Sequence, residues 1–477
     1  MGDFKSIFRE YDIRGRVKKG EFDKENFRRL AKGFAVYLAK RGINRIVVGY
    51  DNRRSSPLFA EIAAEIFAER GFIVYYLDMC ITPSAYFAQY HLDVKGLLMV
   101  TASHNPDGWC GCKLGDGFSK TLNSAEIKEL YGYCADYSDC LDFADCSAEA
   151  ERRGKIIHYD IRTPYIEDIV AKAKPPANNI RIVVDAGNGA AGIYAWELFQ
   201  KLGYMTFQLN CDPDDSYPHY FPNPSEKAAR QALKRSVCHF GIKADIGLAF
   251  DGDGDRLGVV DGGGRDVWAD RILMILSDYL LQKRQGGVVV YDVKCSRALP
   301  EAVIAAGGKP LMWKTGHSYI KEKMKAANAV LAGERSGHIF IPNDGRFYDD
   351  ALYAAAFLLK IMAECRQSLA DILAAFPAYF TSSEIHIPCD DNIKYDCVKK
   401  LCKYFFAVCS AENICTLNGV RVDLPQFNGW ALVRASSNLP ELVVIAETKD
   451  KASLPRLIDF LHGVFIENDI SGEWQNT

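Results

Sequence analysis

The sequence predicts an α/β chain: three related α/β domains with mixed sheets, followed by a C-terminal α+β domain. Three observations carry this. Apolar runs ending in an aspartate recur ahead of helical patterns, at Arg45–Tyr50 before Asp51, Arg181–Val184 before Asp185 and Val288–Tyr291 before Asp292. Such continuous apolar runs fit parallel strands buried on both faces. Near residues 371–377 the pattern changes to hairpin-linked strands with helices. The 477 residues also exceed what one hydrophobic core organises, and suggest about three or four domains.

Taken in order, residues 24–40 place Phe27, Leu30, Phe34 and Leu38 at helical spacing. The strand Arg45–Tyr50 follows. Gly96-Leu97-Leu98-Met99-Val100 reads as a buried strand, and so does Ile246–Phe250. Ala329-Val330-Leu331 is a further short strand. In the last part, Phe380–Ile387 reads as a strand and Ile393–Val408 as a helix. Strands are then expected near 420–422, 430–434 and 442–445, with a final helix over Leu454–Ile466.

Bulk properties exclude several classes. Net charge is −3, so no basic field invites nucleic acid. No apolar run reaches the ~18 residues that cross a bilayer. The segment Met1-Gly2-Asp3-Phe4-Lys5-Ser6 has no apolar h-region, so no secretory signal is expected. Gly2 with Ser6 fits the loose myristoylation pattern, which is read as chance. The 15 cysteines include no C-x-x-C pair, Cys110-Gly111-Cys112 being the tightest spacing. Reduced thiols in a cytoplasmic protein are the expectation.

Thr101-Ala102-Ser103-His104-Asn105-Pro106-Asp107-Gly108 places a hydroxyl directly after a buried strand, on a turn marked by Asn-Pro and Asp-Gly. That position suggests presentation to a cleft. Asp251-Gly252-Asp253-Gly254-Asp255-Arg256 likewise follows a strand. Close carboxylates repel, at ~4 Å and an effective dielectric of ~20 by about 4 kcal/mol per pair. The loop therefore calls for a cation, and oxygen-only ligands favour Mg²⁺. An EF-hand needs Gly at its sixth position and Glu at its twelfth, where Arg256 and Gly262 stand. Asp251 as a phosphorylated nucleophile remains the mechanistic alternative. Gly333-Glu334-Arg335-Ser336-Gly337-His338 offers groups that could bind sugar hydroxyls. Arg434-Ala435-Ser436-Ser437-Asn438-Leu439-Pro440 could cradle a phosphate. Trp313-Lys314-Thr315-Gly316-His317 also follows an apolar step. Each of these three also reads as an ordinary polar loop or turn, and a lone histidine beside a strand end is commonly structural.

In this order the segments resemble the α-D-phosphohexomutase superfamily, within it the phosphomannomutase/phosphoglucomutase group. Phe8–Gly15 resembles its N-terminal segment, Thr101–Lys113 its phosphoserine loop and Asp251–Arg256 its metal loop. Gly333–His338 resembles its sugar loop and Arg434–Pro440 its phosphate loop; Thr315–Ser318 and Phe221–Pro224 also match. The resemblance implies a four-domain, heart-shaped phosphohexomutase with its site in a central cleft and domains at 1–150, 151–257, 258–370 and 371–477. It implies phosphoryl transfer between C1 and C6 of mannose or glucose phosphates through phospho-Ser103 and a hexose 1,6-bisphosphate. That bisphosphate also serves as activator. Mg²⁺ is expected on Ser103, Asp251, Asp253 and Asp255. Lys113, Arg14, Arg256 and His338 are the expected catalytic groups, with proton handling assigned among Lys113, Arg14 and His338. His104, His317, Glu334, Ser336, Arg434, Ser436, Ser437 and Asn438 are the expected substrate contacts. A cytoplasmic monomer or weak homodimer, with neither nucleic-acid nor membrane partners, completes the expectation. A phosphoglucosamine mutase and a non-catalytic sugar-phosphate-binding homologue are the alternatives. Cys110 departs from the family's usual Asn and puts local loop geometry in question. Asp350-Ala351-Leu352-Tyr353 departs from its usual Asp-Gly-x-Tyr.

Overall fold

The computed structural model describes residues 4–10, 12–135, 154–436 and 439–476. The expected boundary at residues 150/151 lies outside them. The chain forms two compact units, Met1–Ala269 with Ser336–Asp371, and Asp270–Arg335 with Ile372–Thr477.

In the first unit a seven-stranded mixed sheet runs in the order Ile13–Arg16, Trp109–Gly117, Gly96–Val100, Arg45–Tyr50, Ile73–Met79, Lys155–His158, with Lys120–Thr121 paired on Trp109–Gly117. Arg45–Tyr50 is parallel to both Ile73–Met79 and Gly96–Val100. The chain then reverses, so Gly96–Val100 and Trp109–Gly117 are antiparallel. The core on this sheet takes Phe27, Leu30 and Phe34 from the helix Lys24–Ala39, whose N-cap Asp23 accepts from Asn26 N. A second, five-stranded sheet repeats the device. Ile246–Phe250 lies parallel to Arg181–Asp185 and antiparallel to Leu257–Asp261. Both candidate loops thus sit where a buried parallel strand ends and the chain doubles back. In open α/β sheets the carboxyl ends of strands are where ligands bind.

In the second unit Val288–Asp292 is parallel to Lys309–Trp313 and to Leu331–Gly333. Its C-terminal part is a seven-stranded antiparallel sheet with Gly429–Ala435 and Glu441–Thr448 at the centre. The helices Lys394–Val408 and Ser453–Glu467 supply Leu401, Phe405, Leu457 and Leu461 to its core. This is the α+β part.

Two local readings change. The expected strand Phe380–Ile387 is two strands, Phe380–Thr381 and Ile385–Pro388, both paired to Glu441–Thr448. The register slips between Phe380↔Thr448 and Ile385↔Val444, leaving one extra residue in the first chain. Ser382 bridges this bulge by donating its N–H to Ala446 O (2.8 Å) and accepting Ala446 N on Oγ (3.0 Å). The expected short strand Ala329–Leu331 instead runs Leu331–Gly333, where it pairs in parallel with Val289–Tyr291. Asp51 and Asp185 each accept the N–H two residues on, from Arg53 (3.1 Å) and Gly187 (3.0 Å), and so close the strand-end turn. Among the described residues no helix is long and apolar enough to cross a membrane.

Candidate active site

Ser103 is held in left-handed backbone, φ +50°. A non-glycine residue there is strained and persists only when its surroundings impose it. They do. Ser103 N donates to Thr101 Oγ1 (2.8 Å), and Thr101 N donates to Gly111 O (3.0 Å) across the reversal. Arg14 Nη1 donates to Asn105 Oδ1 (2.8 Å) and Ala102 O (3.3 Å), while its Nε pairs with Asp12 (2.6 Å). Arg53 reaches the carbonyl oxygens of Ser103 (2.7 Å), Asn105, Pro106 (3.1 Å) and Trp109 (3.3 Å). Gly111 is obligatory: a Cβ there would collide with Ile13 O and come within 3.0 Å of Thr101 O.

The aspartate loop meets this serine. Ser103 Oγ donates to Asp251 Oδ2 at 2.8 Å and lies 3.0 Å from His104 Nδ1. Ser103 is 2% exposed and Asp251, Asp253 and Asp255 are fully buried. Gly252 permits the approach, since a Cβ on it would lie 2.9 Å from Ser103 O. Asp251 Oδ1 accepts the N–H groups of Asp255 (3.0 Å) and Arg256 (3.1 Å). Ligand atoms of Asp251, Asp253 and Asp255 lie within 4.8 Å of one another. Asp253 Oδ1 is buried and accepts no hydrogen bond, and Asp255 Oδ1 faces His338 Nε2 at 3.3 Å. Converging hard oxygens, one of them without a donor, fit a small divalent cation. Burial and the neighbouring Asp255 and Asp253 push the Asp251 carboxyl well above the usual range. Burial acts the same way on Asp255, but Lys113 and then His338 and Arg256 hold it well below.

Lys113 stands on the strand Trp109–Gly117, and its Nζ donates to Asp253 Oδ2 (2.8 Å), Asp255 Oδ2 and Thr82 Oγ1 (3.3 Å). Its ammonium therefore sits on the carboxylate loop. Thr82 Oγ1 also donates to Asp253 Oδ2 (2.6 Å). Ser336 and His338 reach the same loop: Leu257 N donates to Gly337 O (3.0 Å), and Arg256 Nε donates to His338 Nε2 (3.3 Å). His338 Nδ1 lies 3.4 Å from Ser336 Oγ, and Nε2 lies 3.9 Å from Asp349 Oδ2. His104 keeps partial exposure, yet packing, Arg256 and Arg14 hold its imidazole well below the ordinary histidine range. The first unit thus brings together Arg14, Ser103, His104, Lys113, the three aspartates, Arg256, Ser336 and His338.

The second unit holds the remaining candidates. Glu334 Oε1 accepts Gly316 N (2.5 Å), joining the turn before His317 to the strand Leu331–Gly333. Both side chains are buried. Asp292 ties the same region by accepting Thr315 Oγ1 (2.9 Å) and Arg335 N (3.1 Å). Arg434 lies buried on the strand Gly429–Ala435. Ser436 N donates to Glu441 O (3.0 Å). Lys394, buried at 4% exposure, donates to Ser436 O (2.6 Å) and Leu439 O (3.0 Å) and so ties these two residues together. Ser437 and Asn438 lie outside the described residues.

Sequence reasoning missed Arg53, Thr82, Asp349 and Lys394. Only Arg53 carried a signal, as part of the Asp51-Asn52-Arg53 strand end. Cys110 leaves the serine loop undisturbed. It alternates with Gly111 on the strand, joins the core with Cys112 and Leu114, and places its sulfur 3.9 Å from Ser56 Oγ. Burial pushes its thiol up to about 12.

Three family descriptions match the chain in order: phosphoglucomutase/phosphomannomutase alpha/beta/alpha domain I at residues 5–139, domain II at 163–264 and domain III at 268–380. A phosphomannomutase/phosphoglucomutase of Pseudomonas putida is 37% identical over 457 residues, 95% of this chain and 94% of that protein. A phosphoglucomutase of Neisseria meningitidis serogroup A is 34% identical over 468 residues, 97% of each. The crystal structure of a phosphoglucomutase/phosphomannomutase family protein from Burkholderia thailandensis superposes with a TM-score of 0.86 at 32% identity, over 99% of this chain and 100% of that one. These matches define a phosphohexomutase by class, with three α/β/α domains and a C-terminal α+β part. The chain belongs to the phosphoglucomutase/phosphomannomutase family.

Proposed function

We propose that this mutase moves a phosphoryl group between C1 and C6 of mannose and glucose phosphates, with Ser103 as carrier. The observation that carries the reading is the 2.8 Å bond from Ser103 Oγ to Asp251, which joins a strained hydroxyl to a buried carboxylate loop. Phospho-Ser103 passes its phosphoryl group to the free hydroxyl of a bound hexose phosphate. The resulting 1,6-bisphosphate reverses and returns its other phosphate to Ser103, and the same bisphosphate added in trace reloads serine that has lost its phosphate. Asp251, Asp253, Asp255 and Ser103 would hold one Mg²⁺, which when bound supplies positive charge to the transferring group.

The chain's own groups do the rest. Arg14 and Arg53 hold the serine loop in its strained turn, a positioning role. Arg256 and Lys113 add positive charge, in a reaction that depends chiefly on positioning and electrostatics. With Lys113 seated on two carboxylates and Arg14 on the loop backbone, His338 is the better-placed group to handle the hydroxyl proton. His104 touches the transferring group, Glu334, Ser336 and His317 read sugar hydroxyls, and Arg434, Ser436, Ser437 and Asn438 take the phosphate that does not react.

Both oxygens of Asp251 are engaged, one by two backbone N–H groups and one by Ser103, which argues against Asp251 as the nucleophile. Phosphopeptide mapping after incubation with glucose 1,6-bisphosphate tests the reading. Acid-stable phosphate on Ser103, with loss of turnover in Ser103→Ala, is expected. A labile acyl phosphate on Asp251, or full activity in a folded Ser103→Ala, overturns it. Side-by-side kcat/KM on mannose, glucose and glucosamine phosphates separates the phosphoglucosamine alternative, and tight binding without turnover would mark a non-catalytic homologue.

A further inference from the structure

We propose that Cys389 and Cys397 form a reversible dithiol/disulfide pair that acts through Lys394 on Ser436 and Leu439. The two sulfurs lie 4.0 Å apart, with the Cys389 thiol donating to Cys397 Sγ. Both residues are half-buried, and the segment 390–393 between them is exposed. A disulfide needs ~2.05 Å between sulfurs, so closure draws the pair together by about 2 Å. A short exposed turn can absorb that movement.

The position gives the pair its consequence. Cys389 directly follows the strand Ile385–Pro388 and donates its N–H to Pro440 O (2.9 Å). Cys397 stands in the first turn of the helix Lys394–Val408, three residues after Lys394 and on the same side of that turn. Lys394 binds Ser436 O and Leu439 O, and Asp391 pairs with its ammonium at 2.7 Å. One cysteine therefore adjoins Pro440, and the other adjoins the lysine that holds the carbonyls of Ser436 and Leu439. Drawing the sulfurs together shifts the helix start against the strand end, and Lys394 carries the shift to both carbonyl groups.

The chemistry is thiol–disulfide exchange with a small-molecule disulfide such as oxidised glutathione. The Cys397 sulfur, as thiolate, attacks one sulfur of that disulfide. The S–S bond breaks and the first small thiol leaves with the electron pair and takes up a proton. Cys389 then loses its proton and attacks the Cys397 sulfur of the mixed disulfide, releasing the second small thiol. Two protein thiols are oxidised and one small disulfide is reduced to two thiols. Burial and the neighbouring sulfur push the Cys389 thiol up to about 11, so the second step quickens as pH rises.

The kinetic consequence rests on the proposed mutase function, whereas the linkage itself does not. The reduced full-length protein is equilibrated at pH 8 in glutathione buffers of rising oxidised fraction, trapped with N-ethylmaleimide and digested with trypsin. Cleavage after Lys394 separates the two cysteines, so a disulfide appears as a linked peptide pair that dithiothreitol splits. That pair is expected, with a several-fold rise in KM for glucose 1-phosphate, kcat changing less, and neither change in Cys389→Ser or Cys397→Ser. Hydrogen exchange at Ser436 and Leu439 gives a readout independent of turnover and should change on oxidation. Absence of the linked pair where other thiols have become glutathionylated overturns the proposal. A linked pair that leaves both hydrogen exchange and KM unmoved overturns the action on Ser436 and Leu439. A reduced protein with no turnover, but with the linked pair and altered exchange, would sink the mutase reading alone.

Discussion

Replacing Lys113 by methionine keeps most of the length of the side chain and removes the ammonium that Asp253 and Asp255 share. The pair is dry: Lys113 and Asp253 side chains are 3% and 0% exposed, with Nζ and Oδ2 2.8 Å apart. At that distance and an effective dielectric of ~20, the attraction is about 6 kcal/mol for Asp253 alone. Desolvating the ammonium offsets much of this, and removing one member of a buried pair costs about 3–5 kcal/mol net. For domains of this size, that lowers the first thermal transition by about 10 °C. The assay is thermal unfolding of Lys113→Met and the parent protein in EDTA and across a MgCl₂ titration. In EDTA the variant should melt about 10 °C lower. At any one concentration Mg²⁺ should then stabilise the variant more than the parent, because a cation relieves the uncompensated carboxylates; binding at 100 times the variant's own Kd adds about 2.7 kcal/mol to its stability. A variant that melts within about 2 °C of the parent in EDTA, or equal Mg²⁺ stabilisation of both proteins, refutes the reasoning.

Arg53→Ala removes the donor to four loop carbonyls, and kcat should fall about 10²-fold, as for a nucleophile displaced by about 1 Å; retained kcat with an altered KM would contradict a positioning role. Gly111→Ala forces a Cβ against Ile13 O and Thr101 O, so urea unfolding should register a loss of about 1–3 kcal/mol, and unchanged stability would disprove the close approach. Burial raises the Glu384 carboxyl, but Lys294 at 2.9 Å, then Arg335 and His386, bring it down from 4.5 to about 2. A carboxyl depressed in the folded state contributes stability present above pH ~4.5 and lost as pH falls toward ~2. The side chain keeps 24% exposure, so the ~3 kcal/mol the shift implies is discounted to roughly 1–2 kcal/mol. Glu384→Gln should therefore lose about that much at pH 7 and converge with the parent only as pH falls through ~2; a deficit constant across the range would count against the ion pair.

The chain's local patterns settled what depends on near neighbours. Continuous apolar runs located Gly96–Val100 and Ile246–Phe250 to the residue, because burial on both faces selects apolar side chains without interruption. Alternating Asp and Gly announced a cluster of carboxylates that could hold a cation, because like charges this close need compensation, part of which Lys113 supplies. The same reasoning failed at Phe380–Ile387, where the bulge at 382–384 depends on the register of a partner strand some sixty residues away. Arg53, Thr82 and Lys394 stayed hidden for a related reason. Their partners lie 50, 171 and 42 residues distant along the chain, and an arginine or lysine carries no mark of which carbonyl it will meet. Cys110 shows the limit most plainly: the sequence placed it beside the reactive turn, whereas strand alternation turned its sulfur into the core. Composition and spacing decided which chemistry the chain carries. Only the sheet topology decided which loops meet, because hydrogen bonds and ion pairs act over a few ångströms of space and are indifferent to distance along the chain.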